Sequence, residues 1–207
     1  MLSTFALALP AVLFIVDPIG VVPLFVAMTA NDSPDKCRGM ALRAVVTATG
    51  VLTFFALFGS VLFHVFSVTL AAFRVAGGIL LMLTALDMLR GQHPGTKTSA
   101  AETAEGVGQD DIAIVPLAMP LLAGPGAIAT VMVLMSQHGG GVDAAVPVIA
   151  SILITMLLAY VTLRSAQGIK RVLKQTGIAI LERIFGLILA AIAVQFVFEG
   201  GKELLRS

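Results

Sequence analysis

Ile15-Val16-Asp17-Pro18-Ile19-Gly20-Val21-Val22-Pro23 lies inside an apolar run from Met1 to Ala30 whose one charge is Asp17. A membrane-spanning helix needs about 20 apolar residues, and this run is long enough. Yet a carboxylate, two prolines and a glycine stand near its middle. A charge at the bilayer centre costs roughly 2.5–3.5 kcal/mol on insertion scales. Proline removes a backbone donor and clashes with the preceding turn. Lipid offers no water to repair the loss, so the freed groups need partners in protein or in a wet cavity. The stretch therefore reads as a broken helix. Its first half ends near Val16 and its second starts at Pro18, with Asp17 as N-cap and Pro18 at the first helical position.

The device returns in the second half of the chain. Ile112 to Val142 carries no charge, and Ala123-Gly124-Pro125-Gly126-Ala127 sits inside it, preceded by Pro116 and Pro120. Pro18 and Pro125 are 107 positions apart in a chain of 207. Two interrupted apolar segments at corresponding places in two halves point to the binding site of a secondary transporter.

Composition agrees. The apolar fraction is 58%, the charged fraction 12% and the mean hydropathy +1.01. Soluble domains hold about 25% charged residues, so this chain reads as an integral membrane protein. No basic stripe interleaves with aromatics, so no nucleic-acid partner is expected; the partner is the lipid bilayer. One cysteine, Cys37, excludes an internal disulfide and any multi-cysteine metal site. No cofactor is expected, and no metal site is assigned. The N-terminus lacks a basic n-region, so the first span is expected to be retained.

Taken in order, the chain divides into a first three-helix repeat over 1–90, a polar linker over 91–111 and a second three-helix repeat over 112–207. Spans are expected at about 4–31, 41–66, 71–90, 112–138, 143–165 and 178–200, with the first and fourth broken. Ser33 caps the second, with Pro34 at its first position. A basic loop with Arg164, Lys170, Arg171 and Lys174 precedes the sixth. A shift of 109 positions matches Arg74 with Arg183, Gly77 with Gly186, Ile79 with Ile188, Leu80 with Leu189 and Gly91 with Gly200. Three spans per repeat is an odd number, so the second repeat must be inverted in the membrane. The expected fold is thus an all-α membrane protein of six helices in two inverted repeats. Ten of the 13 Lys and Arg fall on loops one, three and five or beside them. That excess places these loops in the cytoplasm and both termini outside.

The Asp17–Phe25 stretch resembles the Asp-Pro-hydrophobic-Gly…Pro-Leu-Phe signature of the MarC family of bacterial inner-membrane proteins. Val115 to Ile128, with Gly124-Pro125-Gly126, is similar to that family's second signature. Leu181-Glu182-Arg183-Ile184, Gly186 and Ala190 to Gln195 resemble its last span. The family takes its name from multiple antibiotic resistance, and related members act as transporters of small neutral amino acids such as glycine, alanine, serine and threonine. The resemblance, not the spacing, implies that substrate class and an inner-membrane location.

A helix N-terminus offers unpaired N–H groups and about half a positive charge. Two half-helices starting near the midplane, at Pro18–Val21 and Gly126–Ile128, can together hold a substrate carboxylate. Gly20, Gly124 and Gly126 let a ligand approach the backbone. The first half-helices end near Val16 and Ala123, where free carbonyls can accept from an ammonium or a cation. The candidate substrate site is therefore Asp17, Pro18, Gly20, Gly124, Pro125, Gly126 and Ala127, suited to a small zwitterion, with Na⁺ or H⁺ as coupling ion. Asp17 has two readings: a cap alone, or a cap that also meets ammonium, Na⁺ or H⁺. The paired prolines have a plainer reading as kinks in an ordinary bundle.

Gln195 either bonds a neighbouring helix or lines the cavity. Thr47, Thr49, Thr53 and Thr84 read as packing or back-bonding residues. Gly77-Gly78 and Gly186 read as sites of close helix packing. Two rival functions stand beside amino-acid transport: efflux of larger apolar compounds, with nine methionines lining an adaptable cavity, and a membrane subunit without transport activity. No enzyme is expected, since neither Gly-x-Ser-x-Gly nor a zinc motif is present.

Overall fold

The structure, a computed structural model, describes residues 2–29, 32–91, 113–137 and 141–205. The linker beyond Gly91, His138 and most of the Gly139–Gly141 turn lie outside them. Every regular element among the described residues is helical: α1 (Leu2–Val16), α2 (Val22–Met28), α3 (Pro34–Phe66), α4 (Leu70–Arg90), α5 (Ala113–Leu122), α6 (Pro125–Gln137), α7 (Val142–Arg164) and α8 (Ala166–Leu204). Four stretches are long and apolar enough to cross a membrane: Pro34–Gly59, Leu70–Arg90, Val142–Arg164 and Thr176–Leu204. The shorter apolar helices α1 and α6 each adjoin one of the two interruptions.

Local chemistry sets the ends. Ser33 Oγ accepts from the Lys36 N–H at 3.3 Å and Pro34 opens α3, as the sequence leads one to expect. Thr69 caps α4 by accepting from the Ala72 N–H at 3.2 Å, and Gly91 closes it in the left-handed region with φ 66°. Glycine fits there because it has no Cβ to clash.

The expected basic loop after the fifth span is not a loop. A single bend at Ser165 joins α7 to α8, and α8 runs unbroken from Ala166 through Lys170, Arg171 and Lys174 into the apolar stretch. Lys, Arg, Gln and Leu are good helix formers, so charge alone does not end a helix.

The long helices pack through small residues. A Cβ on Gly78 would lie 2.7 Å from Val197 Cγ2 and 2.9 Å from the Ala193 carbonyl. One on Gly186 would lie 3.0 Å from Met88 Cβ, and one on Gly200 would lie 2.8 Å from the Ala71 carbonyl. These contacts run α4 and α8 antiparallel along their lengths and bear out the packing role of Gly78 and Gly186. Without a hydrophobic drive inside lipid, close backbone approach is what holds helices together. Met40, Ala44, Ala48, Leu52 and Ala56, one turn apart on α3, are all buried. Leu42, Val46, Phe54, Val61, Leu153, Leu157, Leu187 and Phe198 stand exposed on the outside. An apolar outer face around a bundle of apolar helices is what a lipid solvent requires.

Threonine hydroxyls in the bundle turn back on their own helices. Thr49 Oγ1 donates to the Val45 carbonyl at 2.7 Å and Thr84 Oγ1 to the Leu80 carbonyl at 3.0 Å. Both follow the expected back-bonding pattern.

Candidate functional site

The two interruptions are built differently. In the first, α1 ends at Val16 and Asp17 takes φ 50°. Its N–H still bonds the Leu13 carbonyl at 3.0 Å, so Asp17 closes α1. Pro18, with no N–H, cannot extend that ladder. Aspartate is among the few non-glycine residues that tolerate the left-handed region. Pro18, Ile19 and Gly20 then form a turn, in which the Val22 N–H bonds the Ile19 carbonyl at 3.1 Å. α2 begins at Val22, with Pro23 in its first turn and no side-chain cap.

The expected N-cap role of Asp17 is therefore corrected: the residue ends one helix instead of starting the next. Its carboxylate still serves the break. Oδ1 accepts from the Gly20 N–H at 3.1 Å, in a residue that is only 3% exposed. A Cβ on Gly20 would collide with the carboxylate oxygen Oδ2 and lie 2.8 Å from Cγ. What approaches Gly20 closely is thus the protein's own carboxylate.

In the second interruption, α5 is wound as a π-helix. The Ala123 N–H reaches back five residues to the Ala118 carbonyl at 2.9 Å. Pro116 and Pro120 are four apart. Pro120 has no N–H to return to the Pro116 carbonyl, so an α-helical ladder cannot run unbroken through this segment. Gly124 then stands before α6 as its cap residue: its carbonyl accepts from the Ile128 N–H at 3.0 Å, and Pro125 opens the helix. This matches the expectation for the second half-helix. Gly126 and Ala127 follow in the first turn, where N–H groups have no partner within the helix. Both residues are buried.

A small cavity adjoins this start. Ile15, Leu80, Thr84, Gly124, Pro125, Gly126 and Ala127 line a space of about 10 Å³. A single water needs roughly 10–15 Å³ of such space. A Cβ on Gly126 would meet Ile15 Cδ1 at 3.0 Å and Leu81 Cδ2 at 3.4 Å. Those are ends of flexible side chains, not backbone.

Of the seven expected site residues, Gly124, Pro125, Gly126 and Ala127 come together around this cavity. Asp17, Pro18 and Gly20 are not in its lining. The first half contributes Ile15 instead, and α4 contributes Leu80 and Thr84. Ile15 was hidden in the sequence because an isoleucine in an apolar run carries no signal. Among the described residues no group of three or more His, Cys, Asp or Glu is placed to hold a metal ion.

Larger spaces open at the two ends of the bundle. At one end, Thr29, Cys37, Arg38, Arg164 and Gly168 help line a pocket of about 270 Å³. This brings the first loop beside the α7–α8 bend. At the other end, Leu7, Ala11, Arg74, Gln137, Gln195 and Glu199 help line a vestibule of about 480 Å³. Gln195 lines this space, but its Nε2 donates to Glu199 Oε1 at 2.9 Å on its own helix and not to a neighbouring helix as the first of its two readings had it.

Apolar helices long enough to span a bilayer, an exposed apolar girth and helix breaks that turn inward together define an integral membrane protein. Comparison with known proteins gives its family. The model of the MarC family of integral membrane proteins matches residues 2–205, so the chain belongs to that family. It is 40% identical over 202 residues to a UPF0056 membrane protein of Aquifex aeolicus, covering 98% of this chain and 94% of that one. A UPF0056 membrane protein of Methanocaldococcus jannaschii is 42% identical over 200 residues, covering 96% of both. The membrane protein YhcE of Escherichia coli is 31% identical over 188 residues, covering 91% of this chain and 87% of that one. No solved structure matches.

Proposed function

We propose that this protein transports small neutral amino acids, such as glycine, alanine, serine and threonine, across the inner membrane. The observation that carries the reading is the start of α6 at Gly124-Pro125-Gly126, which faces a small cavity against Ile15 beside the break that ends α1. First-turn N–H groups, such as those of Gly126 and Ala127, suit a substrate carboxylate. A space of about 10 Å³ holds nothing larger than water, so the cavity as it stands is closed. Substrate enters when Ile15 and Leu81 move aside.

In this reading α1 with α2, and α5 with α6, each make one discontinuous span, giving six. The packing supports two related halves, for α1 lies against α7 as α5 lies against α3, and α4 lies along α8. The second repeat is inverted relative to the first, and rocking of one against the other exposes the site alternately. Na⁺ or H⁺ drives the cycle.

Glycine uptake by proteoliposomes, with the alanine, serine and threonine series as competitors, tests the reading. Concentrative uptake that glycine-sized zwitterions compete for is the expected result; uptake no faster than in protein-free liposomes sinks it.

The orientation has its own test. Cys37 and Arg38 share a pocket with Arg164, and excess Lys and Arg mark the cytoplasmic side. An impermeant thiol reagent applied to intact cells should leave Cys37 unmodified and label a cysteine placed at Gly141. Labelling of Cys37 alone reverses the topology.

A further inference from the structure

We infer that the vestibule at Arg74 is a second binding site, which holds a small zwitterion before it reaches the break between α5 and α6. The ligand class comes from the transport reading above; the site itself is separate and is argued from its own groups.

The vestibule has about 480 Å³, ample for a small amino acid where the inner cavity is not. Its polar groups are one cation, one carboxylate and two amides: Arg74, Glu199, Gln137 and Gln195. Arg74 is held at the start of α4. Its Nη1 donates to Glu203 Oε2 at 2.7 Å, and its side chain is 13% exposed. Its Nε is buried and, among the described residues, has no hydrogen-bond partner. An unmade bond at a buried charged donor is costly, so such a group marks a place where a ligand belongs.

Nε lies on the edge of the guanidinium that grips a carboxylate through two parallel bonds. Glu203 holds the Nη1 end of the group and leaves the Nε edge without a protein partner among the described residues; Nε is itself covered, so a ligand reaches it when the side chains over it move aside. Glu199 is oriented by Gln195 at 2.9 Å and retains acceptor capacity for an ammonium. A carboxylate on Arg74 and an ammonium on Glu199 are the two ends of an amino acid. Gly200 keeps α8 close to α4 here, since a Cβ on it would lie 3.0 Å from Arg74 Cβ.

The vestibule and the inner cavity lie along the same two helices. Leu7 and Ala11 line the first and Ile15 the second, each one turn further along the same face of α1. On α6, Leu134 lines the first and Ala127 the second, two turns apart.

The test is equilibrium binding of radiolabelled glycine to the full-length protein in lipid nanodiscs. Arg74→Lys keeps the charge and a partner for Glu203 but removes the fork. If Arg74 served only the ion pair with Glu203, lysine would serve nearly as well. We expect Arg74→Lys to weaken glycine binding at the vestibule at least about tenfold. Glu199→Gln should weaken glycine by a similar factor while leaving the affinity for acetate unchanged, because acetate has no ammonium. Both are measured in the wild-type chain and in Gly126→Leu, where the inner cavity is filled.

Glycine binding that survives in Gly126→Leu and falls with Arg74→Lys supports the vestibule, even if no transport is found. Transport that fails in Gly126→Leu therefore bears on the inner site alone. Wild-type binding unaffected by Arg74→Lys overturns the vestibule site, as does a folded Gly126→Leu that binds no glycine. Where Gly126→Leu is not recovered folded, the Arg74→Lys comparison in the wild-type background decides.

Discussion

The two interruptions solve one problem in opposite ways. At Asp17–Val21 the chain supplies its own anion: the Asp17 carboxylate folds over Gly20 and takes its N–H. At Ala123–Pro125 the break carries no charged side chain of its own, and Thr84 of α4 stands beside it. A π-helix ends, Gly124 and Pro125 restart the chain as α6, and the first N–H groups face a cavity. In lipid an unsatisfied backbone group costs several kcal/mol, so a break must be filled from within or by a guest. The first break is filled from within. In the proposed reading the second receives a guest, and Gly124, Pro125, Gly126 and Ala127 bring backbone close to it. Two breaks that look alike in sequence thus differ in how far each is already satisfied.

The largest expected effect comes from filling the second break. Gly126→Leu puts a branched side chain where Ile15 Cδ1 and Leu81 Cδ2 already stand 3.0 and 3.4 Å from a Cβ. Overpacking of this kind costs roughly 1–3 kcal/mol. Binding at the α6 start should fall by at least about a hundredfold, near 2.7 kcal/mol. Calorimetric titration on protein whose melting has been checked gives both numbers. Unchanged affinity at the inner site would remove Gly126 from it and make the two breaks equivalent scaffolding.

Next in size is the loss of the carboxylate from the first break. Asp17→Ala strips the acceptor from the Gly20 N–H, worth about 1–3 kcal/mol when the donor is buried. It also forces alanine into the left-handed region, at about 1–2 kcal/mol. Destabilisation of roughly 2–5 kcal/mol should follow, read as a lowered thermal midpoint in detergent. Asp17→Gly should recover the strain component but not the acceptor, and so fall between Asp17→Ala and the wild type. If alanine and glycine are equally harmless, the Asp17–Gly20 bond does not hold the break.

Much of this was legible in the residues. Asp17, the prolines and the glycines announce both breaks, because such residues are costly in a continuous span. Ser33-Pro34 announces the start of α3. Other features were not legible. The Asp-Pro pair is a helix-start signal, yet the left-handed φ of Asp17 makes it a stop; the same two residues permit either, and the turn through Gly20 decides. The π-winding of α5, in which the Ala123 N–H reaches the Ala118 carbonyl, is recorded by no periodicity. The helix through Lys170 and Lys174 was hidden by reading charge as loop. Arg74 stood out only as one match of the 109-position shift; its orphaned Nε exists only once α4 and α8 are packed.

The smallest change is the sharpest. Asp17→Asn keeps the shape, the oxygen that accepts from the Gly20 N–H and a tolerance for positive φ. If the carboxylate only completes its own turn, stability should drop by less than about 0.5 kcal/mol, since asparagine serves about as well as aspartate in such local bonds. If Asp17 also meets ammonium or a coupling cation in an open state, the missing charge should show in binding. A hydrogen bond to a charged group is worth roughly 1.5–3 kcal/mol, and 1.4 kcal/mol is tenfold in affinity. We expect at least about a tenfold loss in apparent affinity for substrate or coupling ion, with melting little changed. Measuring glycine uptake against Na⁺ concentration and pH separates the two roles, because a lost cation partner moves the ion dependence while a lost turn acceptor moves only stability. An Asp17→Asn protein with wild-type affinity and ion dependence would leave the first break as pure architecture, and all recognition would then rest on the backbone at Gly126 and Ala127.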